Sequence, residues 1–195
     1  ESTGKKIYAI LQLREHDSII NLKEKIDLSS KPMHDVELTY ITSRGKWYDY
    51  SWKGDVSKSG GIATNIGIHF FDMLIWIFGD IESVIVHKNT SKVSSGLLRL
   101  KKANVKWFLS TDNKYIPNKS NIDQYSTFRS IKIDNEEFEF SKGFTDLHTS
   151  VYDSILKGKG YGAIDAFKSI ELADKIRFMN ETVLKDDYHT FNNLV

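Results

Sequence analysis

At 195 residues the chain fits one domain with appendages, and 11 Phe, 9 Tyr and 4 Trp supply a real core, which excludes a disordered class. Lys plus Arg (27) and Asp plus Glu (26) balance to a net charge of +1 without any basic block, which argues against a dedicated nucleic-acid binder. There is no cysteine, so disulfide frameworks and thiolate chemistry are excluded, and a reducing, cytoplasmic compartment is expected.

In chain order, Glu1 to Lys6 lacks an initiator Met and leads at once into an apolar stretch, as expected of a segment of something longer without a signal peptide. Ile7 to Arg14 is β-rich and predicts a strand, whose exit carries Gln12, Arg14 and His16. Asp17 or Ser18 caps a helix with Ile19, Leu22 and Ile26 on one side, ended by Lys31-Pro32. Asp35 to Thr42 alternates and predicts a half-buried strand. Ser43 to Gly54 has neither period; it predicts an aromatic loop carrying Arg44, Lys46, Tyr48 and Lys53.

Gly60 to Gly79 predicts the central helix, apolar nearly all round and therefore buried. Asn65, His69 and Asp72 fall at i, i+4 and i+7, which a regular α-helix places on one face. The longest apolar run, Ile66 to Phe78, is too short and too polar to span a membrane. Strands are expected over Ile81 to Lys88, Gly96 to Leu100 and Asn104 to Ser110, and a loop over Thr111 to Asn121. A hairpin over Phe128 to Ile133 and Glu136 to Phe140 is expected to turn at Asp134-Asn135. Thr145 or Asp146 caps a helix to Lys157, Gly158 to Gly162 turns, and a last helix runs from Ala163 to Leu184. This order predicts an α+β fold: a largely antiparallel mixed sheet with helices on one face. No Gly-x-Gly-x-x-Gly follows a strand, so a nucleotide-binding Rossmann unit is absent from the sequence.

Three polar groups on a buried helix must be paired or functional. A His titrates near neutral pH and can take a proton from a hydroxyl, with Asn65 holding a neighbouring oxygen. The alternative is a hydrogen-bonded buried His oriented by Asp72. A metal hydrolase built on His69 and Asp72 lacks a third placeable ligand. Arg44 and its aromatic neighbours fit the wall of a site for an anionic, ring-containing ligand, or a plain plug over the sheet. His148, at the predicted start of a helix, fits either an ordinary capped helix or a site wall.

Gly60-Gly61, Asn65, Gly67, His69 and Asp72 together resemble the signature of the C-terminal α/β domain of the Gfo/Idh/MocA oxidoreductases. Leu11-Gln12-Leu13-Arg14, the Arg44 to Gly54 segment and Gly143 to Thr149 narrow the resemblance. They are similar to the branch that oxidises UDP-N-acetyl-2-amino-2-deoxyglucuronate at its 3-hydroxyl, on the way to bacterial surface polysaccharides. The likeness runs from about Ile7 to Arg177. It implies a sheet domain of the kind seen in the C-terminal half of glyceraldehyde-3-phosphate dehydrogenase. His69 is implied as the catalytic residue and Asp72 as its support. Asn65, Gln12, Arg14, Arg44, Tyr48 and His148 are implied as substrate contacts. The cofactor implied is NAD, held by an N-terminal domain that residues 1–195 do not contain, so this chain alone should not transfer hydride. The partners implied are a UDP-sugar and further copies of the chain, a dimer or tetramer formed through the open sheet face, with neither nucleic acid nor membrane involved. A family member acting on inositol or another sugar, and a non-catalytic binding or assembly module, are the competing expectations.

Overall fold

The computed structural model describes residues 3–117, 127–139, 146–185 and 187–195. Six strands form one sheet in the order β2-β3-β4-β1-β5-β6. They are β1 (His34–Thr42), β2 (Ile81–Asn89), β3 (Val93–Leu100), β4 (Ala103–Ser110), β5 (Thr127–Ile133) and β6 (Glu136–Glu137). Every neighbouring pair is antiparallel except β1 and β4, which run parallel with Leu38 opposite Trp107. Parallel neighbours need a long connection. Residues 43–102 provide it, and that crossover carries the candidate site.

Alternation along the strands makes two layers. Val36 and Leu38 of β1, with Val105 and Trp107 of β4, face the helices and share one core with them. The helices on that face are α1 (Asp17–Leu28), α4 (Ile68–Phe78) and α6 (Ala163–Phe178). They contribute Ile19 and Leu22, Phe71 and Phe78, and Leu172 and Ile176. At roughly 1.5–3 kcal/mol for each fully buried large apolar side chain, this layer outweighs any single polar contact in the chain. The expected α+β architecture with helices on one face is what is seen.

The second face is partly covered by the C-terminal tail. A 3₁₀ turn at Thr190–Leu194 lays Phe191 against Phe108, with ring centroids 5.4 Å apart. His189 Nε2 lies 2.9 Å from Thr39 Oγ1, and Ser95 Oγ donates to Asn192 Oδ1 at 2.6 Å. Burial holds the His189 pKa down to about 3, so the tail docks through a neutral imidazole.

Several boundaries differ from expectation. Ile7 to Arg14 is not a strand among the described residues: Tyr8 makes one isolated bridge with Gly162, and Gln12–Glu15 winds into a 3₁₀ turn. That winding sends Arg14 inward, so burying its charge beside Asp72 overrides the local β preference. The aromatic segment holds two short helices, α2 (Lys46–Tyr50) and α3 (Val56–Ser59), where a loop was expected. The last helix stops at Phe178, six residues early. Asn89 Nδ2 donates to the carbonyls of Ile176 and Arg177, and the Thr182 amide donates to Val86, so the chain leaves the helix to line the β2 edge. The β5–β6 turn is as read: Asp134 and Asn135 both have positive φ, 54° and 70°. Its ladder covers only Glu136 and Glu137, and Phe140 lies outside the described residues. Helix α5 (Leu147–Leu156) follows Asp146, whose side chain makes no cap; Thr145 lies outside the described residues.

Candidate active site

The crossover enters the site through two left-handed glycines, Gly60 (φ +77°) and Gly61 (φ +78°). Gly60 closes α3, and a Cβ there would sit 2.5 Å from Thr64 Oγ1. The next turn, Ala63–Gly67, is a π-helix that runs directly into α4. Gly67 lets this junction lie on β4, since a Cβ would meet Phe71 at 2.7 Å and Leu109 at 2.9 Å.

The π turn breaks the simple stripe. Each π turn takes up about one residue more than an α turn, so the 3.6 period does not carry across it. Asn65 is half-buried and its Nδ2 donates to the Lys53 carbonyl at 3.3 Å. His69 is exposed and Asp72 is buried. The three groups expected on one buried face therefore stand in three environments.

Asp72 is spent on Arg14. Arg14 Nε donates to Oδ2 at 3.0 Å and its Nη2 to Oδ1 at 2.8 Å, a two-pronged pair with both side chains almost fully buried. Nη2 also donates to the Asp165 carbonyl at 3.0 Å, tying α6 to the pair. The guanidinium sits between the rings of Tyr161 and Trp76, 5.0 and 5.8 Å from their centroids. Arg14, expected in the substrate wall, is thus committed to holding Gln12–Glu15, α4 and α6 together. Asp72 reaches His69 by charge and makes no hydrogen bond to it among the described residues.

Beside this pair lies a cleft of about 170 Å³ whose lining includes Gln12, His69, Asp72, Ser169 and Ile170. His69 lines this cleft; the residue is exposed overall, and the protein around it still partly desolvates the ring. That desolvation holds its pKa below the ordinary value of 6.5, against an upward pull from Asp72 and with a further push down from His148 on α5. The ring is accordingly a neutral imidazole at pH 7, able to accept a proton. Gln12 turns into the same cleft, and its buried Oε1 has no hydrogen-bond partner among the described residues. His148 is exposed and stands close enough to act on His69 electrostatically.

A second group adjoins the π turn. Tyr48 of α2 is buried, and burial raises its pKa; the nearby Arg44 charge and a side-chain hydrogen bond with Asn65 oppose that shift. Arg44 is exposed and makes no ion pair among the described residues. Trp47, Tyr50 and Trp52 are exposed around it. The structure thus brings Gln12 and His69 to one cleft, with His148 near enough to act on His69 by charge, and sets Tyr48 and Arg44 by Asn65, which shares one continuous helix with His69. Sequence reading missed Ser169, which meets Asp72 at 3.4 Å from α6. Its only signal was a Ser in line with Ala166 and Ala173 on an otherwise small and apolar helix face.

The family model described as "Oxidoreductase family, C-terminal alpha/beta domain" matches residues 32–116. The matched segment is a Gfo/Idh/MocA C-terminal domain. The matched residues take in the two left-handed glycines, Asn65 and Gly67 in the π turn, and His69 and Asp72 on α4. Among solved structures, the WlbA (WbpB) dehydrogenase from Thermus thermophilus in complex with NAD and UDP-GlcNAcA is 46% identical, with TM-score 0.90, over 97% of this chain and 61% of that one. The same dehydrogenase with NAD and alpha-ketoglutarate is 48% identical, with TM-score 0.91, over 97% and 62%. WlbA from Bordetella pertussis, in complex with NADH and UDP-GlcNAcA, shares the fold at 18% identity and TM-score 0.67, over 90% and 62%. The chain thus spans about three fifths of the length of these relatives.

Proposed function

We propose that this chain is the substrate-binding part of an NAD-dependent dehydrogenase that oxidises the 3-hydroxyl of a UDP-N-acetylated amino-sugar uronate. The observation that carries this is the 46–48% identity across 97% of the chain to the Thermus WlbA dehydrogenase, with His69 lining an open cleft. NAD would supply the hydride acceptor when bound. The described residues contain one mixed sheet and no parallel dinucleotide-binding unit, which supports a cofactor held mainly outside them. The proposed N-terminal NAD-binding domain lies in the two fifths of such enzymes that this chain does not span.

The work of this chain is then binding and proton transfer. His69, kept neutral by desolvation, accepts the proton of the sugar hydroxyl as hydride leaves the same carbon. Asp72, fixed by Arg14, favours the imidazolium that forms. Asn65 and Gln12 hold adjacent sugar oxygens, and His148 stands at the mouth of the cleft. Arg44 and Tyr48 meet the charged end of the substrate. The less covered part of the sheet's second face would pack on another copy, giving a dimer or tetramer. Among the described residues no helix is long and apolar enough to cross a membrane. A cytoplasmic place in bacterial surface polysaccharide synthesis completes the proposal.

The test is thermal shift of the chain with UDP-GlcNAcA beside myo-inositol. UDP-GlcNAcA should raise Tm and myo-inositol should not. Equal stabilisation by both, or by myo-inositol alone, refutes the nucleotide-sugar reading. In an enzyme carrying this domain, His69→Ala should lower kcat by about 10²–10⁴. The acid limb of kcat/KM should fall below 6.5, the side on which the lowered pKa of His69 places protonation.

A further inference from the structure

We infer that the pocket between α1 and the β5–β6 hairpin is a second binding site, one that takes a small phenolic molecule whose hydroxyl donates to Nε2 of His34. It lies at the start of β1, the opposite end of that strand from Arg44, and does not depend on the function proposed above. The pocket encloses about 420 Å³, a size usual for small-molecule sites. Leu22 and Ile26 of α1, Ile133 of β5 and Phe138 after β6 supply its apolar walls. Lys25, Glu136 and Glu137 also line it and are exposed. His34 is only 6% exposed and is the one buried polar residue of the lining among the described residues.

The His34 ring has a lone pair to fill. Asp134 sits in the hairpin turn. Burial pushes its carboxyl up, but Lys31, the Asp35 amide and His34 together hold it down to about 2, so it is ionised at neutral pH. An ionised carboxylate has no proton to give, so His34 Nδ1 donates to Asp134 Oδ2 at 2.7 Å. In the neutral ring Nε2 is then a bare acceptor, and it has no hydrogen-bond partner among the described residues. A buried acceptor left unpaired is unfavourable, and an incoming donor relieves it. A metal ion would suit a carboxylate-backed imidazole, but among the described residues no three His, Cys, Asp or Glu groups gather to hold one. An ammonium would be desolvated at His34, where Asp134 has already spent its oxygens on His34, Lys31 and the Asp35 amide. A phenol meets both demands: its ring packs on the apolar walls beside Phe138, and its neutral hydroxyl supplies the proton that Nε2 lacks. Nε2 is closed to water in the ligand-free protein, so entry takes a small movement of a wall side chain.

Nitrogen NMR of the isotope-labelled chain, titrated with p-cresol, anisole and toluene, tests this in wild type and in His34→Phe. Wild type should bind p-cresol at least about tenfold more tightly than anisole or toluene, which lack the donor. The His34 Nε2 resonance should be that of a bare ring nitrogen before titration, and should move towards the hydrogen-bonded position with p-cresol alone. In His34→Phe, p-cresol should bind at least about tenfold more weakly and no better than anisole. Asp134 keeps Lys31 and the Asp35 amide as partners in that variant. Should the variant fail to fold, the wild-type spectrum decides: an Nε2 resonance unmoved at saturating p-cresol overturns the assignment. Absence of p-cresol binding to wild type, equal affinity for anisole or toluene, or an advantage that survives His34→Phe would each overturn it as well.

Discussion

Arg14 and Arg44 occupy opposite ends of the same physical scale. Arg14 is buried, forked onto Asp72 and held between two aromatic rings, so the fold has used its charge. Arg44 is exposed at the end of β1, without an ion pair among the described residues, beside an exposed aromatic cluster. The two histidines divide in the same way. His189 is fully buried on Thr39, whereas His69 lines a cleft. Arg14 and His189 maintain this structure through their partners, and Arg44 and His69 are the groups proposed to meet a ligand.

The sharpest way to break that division is Asp72→Ala. It strands a buried guanidinium, and removal of one partner from such a pair costs about 3–5 kcal/mol, read as a large loss in denaturant midpoint. The double replacement Arg14→Met, Asp72→Leu should recover much of that loss, because no buried charge is left alone. A drop of similar size in the single and double variants would show that the pair is not a unit.

Acid stability tests the committed histidine. Above pH 6.5 His189 is neutral whether the chain is folded or unfolded, and it contributes no slope. As pH falls from 6.5 towards about 3, the unfolded chain takes up a proton that the folded chain resists, so stability falls. His189→Gln should flatten Tm against pH across that window, and an unchanged slope would place the acid sensitivity elsewhere. Next in size, Gly67→Ala forces a methyl against Phe71 and Leu109 and should cost about 1–3 kcal/mol in chemical denaturation. Smallest, Arg44→Ala should change stability by no more than about 0.5 kcal/mol, because nothing among the described residues depends on it.

The sheet was legible because alternation is local: Val36, Leu38 and Tyr40 announce β1, and Asp134-Asn135 announces its hairpin turn. The glycines at 60, 61 and 79 were equally legible as punctuation. The Gln12–Glu15 turn was not, because Ile7 to Leu13 has the composition of a strand and only the distant Asp72 makes winding favourable. The π turn was hidden for a related reason: helical periodicity assumes one period, and the turn's packing against β4 and α6 is not visible in it. The end of α6 depends on the Asn89 side chain, 87 positions from the carbonyl of Ile176 that it caps. Asn65, His69 and Asp72 were legible as polar groups within one apolar segment. Their division into structural and open groups needed the partners, which sequence spacing does not supply.

The most direct measurement is calorimetric titration of the chain with UDP-GlcNAcA, wild type beside Arg44→Ala, with Tm recorded for both. Saturable binding to wild type, weakened at least about tenfold in Arg44→Ala at unchanged Tm, is the expected result. Absence of binding to wild type, or equal affinity in the two proteins, would contradict the assignment of Arg44 to the ligand and Arg14 to the fold.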